Sequence, residues 1–159
     1  MKRSFKIVPV GSGDGGSVYT IQFDGESQSE SEFDKFLKNK LVREERGAFE
    51  RLVSRLGAMT NEYGFKEEQF KEKEGKKKDY VVALSEGVLR LYCLRVENAL
   101  LIIGNGGVKR TRTYQQDSHL KSSVEDLQMV HKCVMHRIFS GGIHVDHITG
   151  ELRGSLNFL

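Results

Sequence analysis

The sequence lacks an apolar run long enough to span a bilayer: its longest, Ala99 to Ile103, falls far short of the roughly 20 residues required. A secretory leader is not expected either, because the apolar stretch after Met1, Lys2 and Arg3 covers only Ile7 to Val10 before Gly11. Two cysteines, Cys93 and Cys133, in 159 residues cannot build a disulfide framework. A cytoplasmic protein is therefore expected. Neither sign of charge dominates: 25 Lys and Arg stand against 22 Asp and Glu, a net of +3 that by itself says little about partners. Internal repeats and a domain boundary are also lacking. With 38% hydrophobic and 30% charged residues, one globular domain over 1–159 is expected.

The charge that is present is unevenly placed. From Gly87 to Thr113 there are five bases, Arg90, Arg95, Lys109, Arg110 and Arg112, and one acid, Glu97, so the rest of the chain is slightly acidic. Local positive charge favours a polyanionic partner, because each neutralised phosphate releases counterions. Lys76, Lys77 and Lys78 form a second basic run in the charged connection Lys66 to Asp79. That run reads as a solvated loop or as a phosphate contact.

Periodicity supplies the elements. Lys6 to Val10, interrupted by Pro9, and the alternating Val18 to Phe23 flank the glycine-rich turn Gly11 to Gly16, which predicts a hairpin. Ser29 and Glu32 have capping-box spacing, followed by the apolar face Phe33, Phe36, Leu37 and Leu41. A second helix carries Phe49, Leu52, Val53, Leu56, Met59 and Tyr63 and stops at Gly64. Tyr80 to Leu84, Val88 to Val96 and Ala99 to Ile103 are strands with connections short enough only for an antiparallel meander. The third of them is apolar on both faces and should be central. A third helix begins near Asp117 or Ser118, buries Leu120, Val124, Leu127, Val130, Val134 and Ile138, and ends at Gly141 and Gly142. A closing hairpin, Ile143 to Asp146 with Leu152 to Phe158, completes an α+β fold with an antiparallel sheet packed against about three helices.

The segment Gly104 to Thr113, GNGGVKRTRT, is the most unusual. Glycines at a strand end allow close backbone approach and leave amides able to meet an anion. They equally suit a turn or a bulge before a charged strand. A nucleotide-hydrolase phosphate loop is excluded, because the glycine spacing before Lys109 is wrong and no helix follows directly.

Two helices, a meander containing Gly87, Val88, Leu89, Arg90, Leu91 and Tyr92, then Ala99 to Gly104 and Lys109, Arg110 and Thr111, resemble the RelE/HigB-type toxins of bacterial toxin-antitoxin systems. The resemblance covers 33–113, with 1–32 and 117–159 as additions to a RelE-like core. It implies an RNA-binding protein, on or off the ribosome, with an antitoxin-like protein partner and metal-independent endoribonuclease chemistry. Such cleavage needs a base for the 2′-hydroxyl, an acid for the leaving oxygen and cations around the phosphorane. Arg90 and Lys109 match the family's basic positions and Tyr92 could relay a proton. Arg95, Arg110, Arg112 and Tyr114 are the further substrate-binding candidates. The strand Tyr80 to Leu84 lacks the charged residues common in the toxins, so a non-catalytic protein- or RNA-binding module is the alternative.

No cofactor is expected. Cys133 and His136 share helical spacing that two metal ligands can use, whereas His131 and His136 do not. With no second cysteine nearby, no metal site is assigned.

Overall fold

The computed structural model describes residues 3–25, 30–72 and 80–159. The proposed cap Ser29 and the run Lys76 to Lys78 lie outside the described residues.

The chain begins with the hairpin β1 (Phe5–Gly13) and β2 (Gly16–Phe23). Ser31 caps α1 (Glu32–Lys38), its side chain accepting from the Asp34 amide while the Asp34 carboxylate accepts from the Ser31 amide. The apolar face expected to run on to Leu41 is broken at Asn39, which leaves the helical region and caps α2 (Lys40–Glu44) by accepting from Val42. Leu41 consequently points to solvent and Val42 is buried instead. In α3 (Arg46–Ala58), Leu52 and Leu56 are buried, whereas Val53 sits on the flank of the stripe and is exposed. A single π turn, Met59–Tyr63, then changes the helical phase and turns Tyr63 outward. Gly64 follows at φ 78°, a conformation few other residues adopt.

After the two-residue strand β3 (Lys71–Glu72) come β4 (Val81–Glu86), β5 (Leu89–Glu97) and β6 (Leu100–Val108). The long helix α4 (Ser118–Phe139) starts at Asp117, whose carboxylate accepts from Leu120. β7 (Ile143–Val145) and β8 (Leu152–Gly154) form a separate two-stranded ribbon, and β9 (Asn157–Phe158) returns to β1. Among the described residues no helix is long and apolar enough to cross a membrane.

The main sheet has the order β3-β4-β5-β6-β2-β1-β9. It is mixed and not purely antiparallel as expected, because β2 pairs with β6 in parallel, from Ser17 opposite Leu100 to Thr20 opposite Ile103. The meander rule governs neighbours in sequence; this pairing joins strands separated by three helices and three strands. Both strands are buried along nearly their whole length, as central strands with both faces covered must be.

Two cores result, one on each face of the sheet. Leu52 and Leu56 of α3, Phe33 and Phe36 of α1, and Leu89, Leu91, Cys93, Leu101 and Ile103 of the sheet form one. Leu120, Val124, Leu127, Val130 and Val134 of α4 form the other with Tyr92, Leu94, Leu100, Ile102, Ile21 and Phe23. The fold is therefore α+β, with α1 to α3 on one face and α4 on the other. The amino-terminal hairpin and the carboxyl-terminal helix complete the same sheet and its cores.

Candidate nucleic-acid interface

The glycine segment does not end β6 but lies inside it. Between Leu91 and Cys93 of β5 the register with β6 shifts, so that Gly106 faces Leu91 and Ile103 faces Cys93. Here β6 gains one residue, a bulge that reverses which face its later side chains meet. The Asn105 side-chain oxygen accepts from the Gly106 amide at 2.7 Å, and a Cβ on Gly106 would stand 1.9 Å from the Arg90 carbonyl oxygen. Only glycine permits that approach.

Arg90 pairs with Gly107 and lies on the α4 face with Tyr92 and Leu94. It is 9% exposed. Its Nη1 donates to the carbonyls of Gly87 at 2.7 Å and Leu89 at 2.9 Å, which folds the side chain back over the end of its own strand. Tyr92 is buried beneath α4, its ring set edge-on to the buried Tyr114 with centroids 6.2 Å apart. These three residues, chosen from the sequence to meet substrate, are built into the core on the α4 side.

Lys109 extends the β5–β6 ladder by donating its amide to Val88 at 2.7 Å. That places it diagonally from Arg90, at the same end of the sheet. Its Nζ donates to the Arg112 carbonyl at 3.1 Å across the loop. Arg110 and Arg112 are exposed, and Arg110 reaches Glu45 at 3.5 Å, an open contact of little energetic weight. The loop is shaped by Thr111, whose hydroxyl donates to the Thr113 carbonyl, and by the reciprocal cap of Thr113 and Gln116 on a short turn, Tyr114–Gln116. It delivers the chain to the amino end of α4, where the helix dipole adds positive potential.

Arg95 belongs elsewhere. It lies near the opposite end of β5 and on the opposite face, where Nε donates to the Phe65 carbonyl at 2.7 Å and Nη2 to Asn98. The seven candidates thus divide into a buried group (Arg90, Tyr92, Tyr114), a loop group of half-buried Lys109 with exposed Arg110 and Arg112, and the distant Arg95.

His119 joins the loop group's end of the sheet: its Nε2 is 2.8 Å from the Gly106 carbonyl oxygen, and its ring packs against Gly107. On sequence grounds His119 carried no assigned role. Its position two residues after the cap Asp117 was readable, but its neighbour in the sheet depends on where α4 crosses the strands. Among the described residues no group of three or more His, Cys, Asp or Glu side chains is placed to hold a metal. Cys133 Sγ lies 3.8 Å from Met129 Sδ, half-buried beside the apolar stripe.

As arranged, this end of the sheet can hold an extended anion by charge through the loop. Arg90 and Tyr92 are buried, at 9% and 3% exposure. No protein-family model matches the sequence, and neither a curated protein nor a solved structure matches it.

Proposed function

We propose that this protein is an RNA-binding module that holds a single-stranded phosphate backbone at the 109–113 loop without cleaving it. The observation that carries the reading is the exposure of Arg110 and Arg112, beside the half-buried Lys109, on a loop fixed at one end of the sheet. The burial of Arg90 and Tyr92 favours binding over catalysis, because a group that stabilises a phosphorane must reach it. A toxin-like origin of the RelE/HigB type and an antitoxin-like partner remain part of the proposal through the sequence resemblance.

The test is fluorescence anisotropy with a labelled 12-nucleotide single-stranded RNA over a salt series. Each phosphate contact on a single strand contributes about 0.7 to the slope of log affinity against log salt. Neutralising Lys109, Arg110 and Arg112 together should lower that slope by about 2. No binding at low salt, or a slope untouched by the triple variant, overturns the reading.

One observation favours a second reading, endoribonuclease activity: Arg90 and Lys109 occupy the same end of the β5–β6 pair. Product ends carrying a 2′,3′-cyclic phosphate, formed by the parent and lost on Lys109→Ala, would establish it.

A further inference from the structure

Tyr80 precedes β4, and its ring lies flat on that of His131 in α4, with centroids 4.3 Å apart and planes inclined by 14°. One face of the tyrosine is therefore covered, yet the residue is 65% exposed. Its outer face and edge meet solvent. Gln128, Lys132 and Met135 complete an open groove of about 570 Å³ around the two rings. That volume lies in the range of roughly 300–1,000 Å³ typical of ligand clefts.

The lining has a composition suited to one kind of ligand. Gln128, Lys132 and Met135 recur at four- and three-residue spacing on one flank of α4, and Lys121 lies two turns before Gln128 on the same flank. This flank leads from the groove to the amino end of α4, next to the 109–113 loop. The distance along the helix from Lys121 to Lys132 is about 16 Å at 1.5 Å per residue. An extended strand of a few nucleotides covers such a span. Within the groove, an aromatic face offers stacking to any base and an ammonium offers charge to a phosphate. Burial holds the His131 imidazole below its ordinary value, so at neutral pH the ring stacks on Tyr80 uncharged. A neutral, half-buried ring backs the platform without a charge to desolvate.

We infer that the Tyr80–His131 groove is a stacking site for one unpaired RNA base, with Lys132 meeting the adjoining phosphate. The inference rests on the RNA-binding reading and adds to it a second contact, whose stacking part supplies affinity without depending on salt. Tyr80 forms the platform, His131 supports it from behind, and the loop at the other end of α4 holds the backbone.

The experiment compares the full chain with Tyr80→Ala, Tyr80→Phe and Lys132→Ala, each first shown by circular dichroism to be folded. The probes are the same 12-nucleotide RNA, adenosine monophosphate and ribose 5-phosphate. Tyr80→Ala should weaken the 12-mer about tenfold with an unchanged salt slope, since stacking and not phosphate contact is removed. Tyr80→Phe should bind within about twofold of the parent, because the ring face is kept. Lys132→Ala should lower the salt slope by about 0.7. In NMR titrations the monophosphate should shift the Tyr80 and His131 ring signals, and ribose 5-phosphate should leave them in place. Equal affinity of the parent and Tyr80→Ala for the 12-mer overturns this inference alone. A parent that binds no RNA overturns the RNA-binding reading and this inference with it.

Discussion

Arg90→Ala separates a structural arginine from a substrate-facing one. The substitution removes two methylenes from a side chain that is 9% exposed, worth about 1.6 kcal/mol at 0.8 kcal/mol each. It also removes the two hydrogen bonds from Nη1 to the Gly87 and Leu89 carbonyls. Charged donors make bonds of about 1.5–3 kcal/mol, but both arise from one nitrogen and the turn carbonyl of Gly87 can recover water, so about 1–2 kcal/mol is the appropriate sum. The total is about 3 kcal/mol, or a fall in Tm of about 6–12 °C for a chain of this size. Arg90→Met, which keeps the stem and loses the bonds, should lose about half as much. Circular dichroism through thermal and urea unfolding measures both variants, and the RNA salt slope is measured alongside. A variant with the parent's Tm and a slope lowered by about 0.7 would refute the reasoning. It would show the guanidinium to be engaged with phosphate and not with its own strand.

Three other outcomes are expected. Gly150→Ala should be far more damaging than Gly141→Ala: both positions have positive φ, costing about 1–2 kcal/mol, but only at Gly150 would a Cβ meet backbone, 1.7 Å from the Ala99 carbonyl oxygen. Equal losses in a thermal melt would count against that packing. Glu86 accepts from Arg55 at 2.8 Å and Arg51 at 3.0 Å, and the Arg55 hydrogen bond above all holds its carboxyl below the ordinary value. A lowered folded pKa means stability that is present above the unfolded value of about 4.3 and lost as the pH falls through the folded one. The stability gap between the parent and Glu86→Gln, measured in urea, should therefore be open at pH 7 and closed in acid; a gap independent of pH would contradict it. Burial pushes the Cys93 thiol well above its ordinary range, so a thiol reagent should label Cys133 in the native protein and Cys93 only after unfolding. Mass spectrometry of the labelled peptides reads the order.

The stripe of α4 was legible because one long helix keeps a single phase: Leu120, Val124, Leu127, Val130 and Val134 all face the core. The apolar Leu100 to Ile103 likewise marked a central strand. Leu41 and Tyr63 were misleading because each lies beyond a break in helical phase, at the Asn39 cap and at the π turn. A periodicity argument assumes an unbroken helix. The bulge in β6 was equally hidden, since its glycines suit a turn, a bulge or a close strand contact, and the pairing with β5 selects among them.

The candidate site divided on similar grounds. That 109–113 is basic and polar is a property of local sequence, and its exposure follows from solvation. That Arg90 and Tyr92 share a strand face follows from the two-residue period of any strand. Which face is open does not, because it depends on the element that packs there. The sequence alone determined the long helix α4, the strands β4 to β6, the alternation along β5 and the clustering of positive charge. Tertiary structure decided that β2 inserts beside β6 in parallel and that α4 closes over Arg90, Tyr92 and Tyr114. It also brought Tyr80 against His131, a contact between residues 51 positions apart. Local rules act over a few residues, whereas burial is set by the area that distant segments remove from water together.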